Sequence, residues 1–138
     1  MKRGDKKRKY VMVVEDSKTM RDFIVSTIQS VGKMFVIECG TGFEALKMLP
    51  KYDFDMIITD INMPDINGLE LITFLKNDQK YKHIPLIIIS TEGSEKDIKK
   101  GLALGAERYL VKPFDTEELK KIVKEYLWGK KDAKTSIR

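Results

Sequence analysis

Short, near-continuous apolar runs alternate along this chain with stretches in which apolar residues return every three or four positions. The runs are Tyr10 to Val14, Met34 to Glu38, Met56 to Thr59, Leu86 to Ser90 and Tyr109 to Val111. Runs of this length without strict alternation predict strands buried on both faces. The intervening stretches predict helices. After Ser17, Met20, Phe23, Ile24, Ile28 and Val31 form one apolar stripe, and Gly32 follows where a helix end takes positive φ. A short helix spans Gly42 to Leu49 and stops at Pro50. Another begins near Asn67, with Asn67 and Glu70 at capping-box spacing and Leu71, Ile72 and Leu75 facing inward. Ser94 and Asp97 form a weaker cap for a fourth helix that buries Ile98, Leu102 and Leu104. Asp115 and Glu118 cap a fifth that buries Leu119, Ile122, Val123, Tyr126 and Leu127.

Five strands alternating with five helices predict an α/β fold, a doubly wound parallel sheet with helices on both faces. The expected strand order is 2-1-3-4-5, a flavodoxin-like three-layer sandwich with its switch point between strands one and three. Residues 10–128 form the single expected domain. The flanks 1–9 and 129–138 are basic tails.

Charge changes the picture once it is divided. The whole chain is +5, but residues 1–9 contribute +5 and 129–138 contribute +3, which leaves −3 for 10–128. The high pI therefore belongs to the tails and does not mark the folded body as a nucleic-acid binder. No apolar run approaches the ~20 residues of a membrane span, and no signal peptide is visible. One cysteine, Cys39, excludes an internal disulfide and fits a reducing compartment, so a cytoplasmic location is expected. Cys39 is expected to pack at the end of strand two, and His83 to lie exposed on a loop. Lys99 and Lys100 are expected on a solvated face. Trp128 either covers the end of helix five or belongs to a dimer surface.

The candidate chemistry lies where the strands end. Strand one stops at Glu15-Asp16, strand three at Asp60, strand four at Ser90 and strand five at Lys112-Pro113. The carboxyl ends of parallel strands are where such sheets bind ligands. Two carboxylates about 4 Å apart repel by roughly 4 kcal/mol at an effective dielectric near 20, so a cation is needed. Oxygen donors without histidine or thiolate select Mg²⁺. Asp16 and Asp60 are the expected direct ligands and Glu15 an outer-sphere or water-bridged one. Asp60 then acts as a nucleophile towards phosphorus, with Lys112 as second cation and Ser90 as hydrogen-bond donor to a phosphoryl oxygen.

Glu15-Asp16, Asp60-Ile61-Asn62-Met63-Pro64, Gly68, Ser90 and Lys112-Pro113-Phe114 together resemble the receiver domain of two-component response regulators, in its CheY-like stand-alone form. The order 2-1-3-4-5 is the one known for CheY, so it is not an independent prediction. The resemblance implies that Asp60 is the phosphoacceptor of a histidine kinase and that the Asn62 backbone carbonyl completes a Mg²⁺ shell. It implies that Ser90 and Tyr109 form a switch acting on the face of helix four, strand five and helix five. It also implies that Lys112-Pro113 is a cis peptide and that Asn62 and Glu92 modulate dephosphorylation. Glu15 departs from the family pattern, where Asp is commoner, and reshapes the shell.

The expected function is that of a single-domain response regulator in chemotaxis-type signalling, catalysing only its own phosphotransfer and slow dephosphorylation. Its expected partners are a histidine kinase and a downstream motor-switch or phosphotransfer protein. No DNA-binding domain is expected, and the chain should be a monomer or a weak phosphorylation-dependent dimer. A phosphorelay intermediate is the nearest alternative. A phosphatase of the haloacid-dehalogenase type uses the same aspartyl phosphate, but wants an aspartate where Asn62 stands. A flavodoxin-like cofactor protein lacks its phosphate loop here. A pseudo-receiver would fold without being modified.

Overall fold

The computed structural model describes residues 8–129. The basic tails expected at 1–9 and 129–138 lie almost wholly outside the described residues. The order of elements is β1 (Lys9–Val14), α1 (Lys18–Gln29), β2 (Met34–Cys39), α2 (Gly42–Met48), β3 (Met56–Thr59), α3 (Gly68–Lys76), β4 (Leu86–Ser90), α4 (Glu95–Ala103), β5 (Arg108–Val111) and α5 (Thr116–Lys124). The five strands form one parallel sheet in the order β2-β1-β3-β4-β5.

Alternation within each strand divides the core. Met12, Val14, Ile57, Leu86 and Ile88 face α2 and α3, where they meet Ala45, Leu49, Leu71, Ile72 and Leu75. Val11, Val13, Met56, Ile58, Ile87 and Ile89 face α1 and α5, where they meet Ile24, Ile28, Leu119, Ile122 and Val123. Fully burying one such side chain stabilises by about 1.5–3 kcal/mol. Both faces are thus filled, and the polar ends of the strands are the places left for chemistry.

Four helices begin at the residues read as their starts: Ser17, Asn67, Ser94 and Asp115 each accept a hydrogen bond from a first-turn N–H, and Asn67 with Glu70 makes a full capping box. Thr41, which the sequence reading did not name, caps α2 in the same way. Other expectations are corrected. Phe23 is exposed rather than buried, and its ring leans on Phe114 at 5.6 Å between centroids. Thr27 takes the inward place beside Ile24 and Ile28, its hydroxyl donating to the Phe23 carbonyl at 2.8 Å. Gly32 does not have positive φ; among the described residues Gly105 alone does. A Cβ on Gly32 would come within 2.6 Å of the Trp128 ring, so this glycine makes room for the indole. Trp128 therefore lies over the α1–β2 turn.

Pro50 does not stop α2 outright. It falls at the start of a 3-10 turn, Leu49–Lys51, where its missing N–H costs nothing. Leu102 is exposed, and Gly101 is the buried residue of α4. A Cβ on Gly101 would meet Ile88 at 2.7 Å and the Tyr109 ring at 3.0 Å, so α4 presses a bare backbone against the sheet. Leu102, one position on and ~100° around the helix, then points away. The regular part of α5 ends at Lys124 and continues as a π-helical turn, Glu125–Gly129, that still buries Leu127.

Candidate functional site

Strand register brings the acids together. Val14 pairs with Thr59, and the Asp60 N–H donates to the Val14 carbonyl at 3.0 Å. Glu15 and Asp60 thereby leave adjacent strands at the same height. On the other side Ser90 pairs with Val111, and the Lys112 N–H donates to the Ser90 carbonyl at 2.8 Å. The four strand ends converge at the predicted switch point between β1 and β3.

Glu15, Asp60 and Ser90 are 2 %, 6 % and 0 % exposed, whereas Asp16 is open to solvent. Lys112 reaches between the two buried acids. Its Nζ lies 2.8 Å from Glu15 Oε1 and 3.3 Å from Asp60 Oδ2. Burial pushes the Glu15 carboxyl up, against the opposing pull of Lys112 and of the Ser17 N–H, which donates to Oε2 at 3.0 Å. Burial alone would lower the Lys112 ammonium, but Glu15 and Asp60 together outweigh it and leave it raised. The cation is thus held charged by the carboxylates it separates. The longer Glu15 side chain spans from β1 to the β5 lysine while keeping a second oxygen on the backbone of the following turn.

Asp60 is fixed at both oxygens. Oδ1 accepts the N–H of Ile61 at 2.6 Å and, more weakly, that of Asn62 at 3.4 Å, while Oδ2 faces Lys112. Glu15, Asp16 and Asp60 each present an oxygen within 4.8 Å of the others. This all-carboxylate set fits a hard divalent ion of the Mg²⁺ class.

The remaining predicted residues surround this centre. The Ser90 hydroxyl accepts the Glu92 N–H at 3.1 Å, and the Tyr109 hydroxyl donates to the Glu92 carbonyl at 2.5 Å. Serine and tyrosine are therefore joined through one residue of the β4–α4 loop. Burial pushes the Tyr109 phenol up, in keeping with a ring tucked against Gly101. Asn62 Nδ2 donates to Glu92 Oε2 at 3.1 Å, a direct link between the β3–α3 and β4–α4 loops. The Lys112-Pro113 peptide is cis. His83 is exposed, and Cys39 is buried with its thiol pushed up to about 12 by that burial.

Three supporting residues carried no role in the sequence reading. Arg21 Nη1 donates to the Glu15 carbonyl at 2.7 Å and its Nε to Glu38 at 3.2 Å, which pins the end of β1 from α1. Its sequence signals were its place one turn after the Ser17 cap and its membership of the segment Ser17-Lys18-Thr19-Met20-Arg21, which resembles the start of the first helix of CheY. Asp65 accepts from the N–H groups of Gly42 and Phe43, a contact across more than twenty residues that no local pattern announces. Gly68 stands directly against the end of β3. A Cβ there would overlap the Asp60 carbonyl oxygen and approach Ile61 Cα to 2.7 Å. Its place in the Asp60–Gly68 motif was legible, its reason was not.

Comparison with known proteins identifies the family and the fold. The family model described as "Response regulator receiver domain" matches residues 11–124. A chemotaxis protein CheY homolog of Campylobacter jejuni is 39% identical over 118 residues, covering 85% of this chain and 91% of that one. Chemotaxis protein CheY1 of Helicobacter pylori is 40% identical over 111 residues, 80% of this chain and 90% of that one. Among solved structures, CheY4 of Vibrio cholerae superposes with a TM-score of 0.78 at 36% identity, covering 87% of this chain and 99% of that one.

Proposed function

The chain belongs to the family of response regulator receiver domains, and from that premise we propose that it is a single-domain response regulator in which Asp60 accepts a phosphoryl group from a histidine kinase or phosphotransfer protein. The observation that carries this reading is Lys112 Nζ held between two buried carboxylates, 2.8 Å from Glu15 and 3.3 Å from Asp60, at the sheet end where β4 closes on the buried Ser90.

The chemistry follows from these groups. An Asp60 carboxylate oxygen attacks phosphorus of a phosphohistidine; the P–O bond forms, the P–N bond breaks, and the imidazole leaves with a solvent proton. Asp16, Asp60 and the Asn62 carbonyl would hold Mg²⁺, with Glu15 behind them. That ion, when bound, neutralises charge gathering on the phosphoryl oxygens. Lys112 supplies the protein's own cation to the same oxygens, and the Ser90 hydroxyl donates to one of them. Such transfer needs mainly placement and charge balance.

The Tyr109–Glu92–Ser90 connection supports a switch. Movement of Ser90 towards a phosphoryl group draws the Glu92 backbone with it, and Glu92 holds Tyr109. The ring is packed on α4, so the change passes to the α4–β5–α5 face, where Leu102 and Val111 are exposed. The Asn62–Glu92 hydrogen bond bridges the two residues assigned to phosphoryl lifetime and controls the approach of water. The CheY-type relatives favour a chemotaxis role, with a downstream protein target reading that face in the cytoplasm. No helix among the described residues is long and apolar enough to cross a membrane.

The test is incubation with acetyl phosphate and Mg²⁺ followed by intact mass measurement. One phosphoryl adduct that requires Mg²⁺ and disappears in Asp60→Asn is expected. An adduct that survives that substitution sinks the assignment.

A further inference from the structure

The β3–α3 loop, residues 60–67, carries both Asp60 and the Asn62 carbonyl, and it is held at three places. Its ends are closed by the Gly68 N–H donating to the Ile61 carbonyl at 2.8 Å. Towards β4 it is held by the Asn62–Glu92 side-chain bond, which lies in solvent. Towards α2 it is held by Asp65, whose Oδ1 accepts the Gly42 N–H at 3.1 Å and whose Oδ2 accepts the Phe43 N–H at 2.9 Å.

The third attachment joins the loop by two hydrogen bonds where the Asn62–Glu92 tie has one, and Asp65 is itself exposed. A carboxylate taking two backbone N–H groups makes charge-assisted bonds about twice as strong as neutral ones. Its anchor is itself fixed: Thr41 caps α2 by accepting the Glu44 N–H at 3.1 Å. Gly42 is buried, and a Cβ there would come within 2.7 Å of Ile66 Cβ, so loop and helix backbone touch directly beside the carboxylate. Desolvation would raise the Asp65 carboxyl, but the N–H groups of Phe43, Ile66 and Gly42 outweigh it and hold it below the usual range.

We propose that Asp65 is a positioning residue of the phosphorylation site: its carboxylate ties the β3–α3 loop to the first turn of α2, and this tie sets where the Asn62 carbonyl stands. Asp65 does not touch the ion, the phosphoryl group or Asp60. It acts through the loop three residues away, and it makes α2 part of the structure that must be in place for the ion to bind. The inference rests on the phosphoacceptor reading of Asp60.

The experiment is a Mg²⁺ titration of the whole chain, read by calorimetry or amide NMR shifts, for the unsubstituted protein, Asp65→Ala, Asp65→Asn and Thr41→Ala. Loss of an outer support of a metal ligand typically weakens affinity about 10–100-fold. Asp65 stands one step further out, so about tenfold weaker binding is expected for Asp65→Ala. Asp65→Asn keeps one acceptor oxygen and should fall between. Thr41→Ala loosens the first turn of α2 but leaves the Asp65 carboxylate in place, so it should weaken binding by less than Asp65→Ala does. Thermal unfolding of each variant confirms that the titrated protein is folded. Unchanged affinity in both Asp65 variants, or equal weakening in Thr41→Ala, overturns the proposal while leaving the Asp60 reading intact. Absence of Mg²⁺ binding by the unsubstituted protein overturns both.

Discussion

Replacing Gly68 by alanine perturbs the site without touching a reactive group. The new Cβ would overlap the Asp60 carbonyl oxygen and lie 2.7 Å from Ile61 Cα. Carbon atoms pack at about 3.5–4.0 Å, so the two backbones must part by roughly 1 Å. Neither contact is the flexible end of a side chain. Both lie just past the end of β3, fixed by the Asp60 N–H on Val14, while Gly68 itself opens α3, fixed by its capping box. Overpacking of this kind costs about 1–3 kcal/mol. For a domain of this size that corresponds to a loss in Tm of about 3–12 °C. Displacing a reacting group by 1 Å can cost about a hundredfold in rate. Gly68→Ala should therefore remain folded at 25 °C, lose several degrees in Tm, and accept phosphoryl from acetyl phosphate about 10- to 100-fold more slowly. Scanning calorimetry and timed intact-mass measurements read the two quantities. A variant that is destabilised but phosphorylated at the original rate would refute the claim that Gly68 sets the position of Asp60.

Further expectations follow from the same geometry. Lys112→Met leaves Glu15 and Asp60 without their shared cation; breaking a buried pair costs about 3–5 kcal/mol, and the slight exposure of Lys112 places this case near the lower end. Mg²⁺ should then raise the Tm of Lys112→Met by more than it raises that of the unsubstituted protein, and equal shifts would contradict the account. The Cys39 thiol, pushed up to about 12, should resist alkylation at pH 8 in the folded protein and react once urea unfolds it. Because that folded pKa lies above the unfolded one, its contribution to stability is complete below about pH 9 and is lost as pH rises towards 12, which urea midpoints at pH 8 and 10.5 will show. Gly32→Ala should displace the ring of Trp128, the only tryptophan, and red-shift its emission while phosphorylation stays unchanged.

The strands and the centre of the site were legible in the sequence for the same reason. A strand buried on both faces shows as an unbroken apolar run, and the first polar residue after it must lie at the sheet's edge. Asp60, Ser90 and Lys112 could be placed together on that ground alone. The helix faces were less legible, because periodicity assumes that an apolar side chain makes the contact. In α4 a glycine makes it, so Leu102 was assigned inward when it points out. In α1 Thr27 satisfies its own hydroxyl on the helix backbone and is buried where Phe23 was expected. Gly32 was read as a residue of special φ, yet its reason is a tryptophan almost a hundred residues away. Asp65 gained no role because its partners are backbone groups, which no side-chain motif encodes, and Arg21 gained none because its partners, the Glu15 carbonyl and the Glu38 carboxylate, lie at the ends of two strands. The resemblance supplied the roles of Asn62 and Glu92, but their hydrogen bond to one another appears only in the folded chain.

The central claim is that Asp60 bears the phosphoryl group while Asp16 and Lys112 attend it. A crystal structure of the protein grown with Mg²⁺ and fluoroberyllate, a mimic of the phosphoryl group, tests it most directly. The account predicts density bonded to an Asp60 carboxylate oxygen, with Lys112 Nζ and the Ser90 hydroxyl on its fluorines and an ion touching Asp16. Fluoroberyllate bound elsewhere, or an Asp60 left bare with Lys112 still bridging it to Glu15, would contradict it.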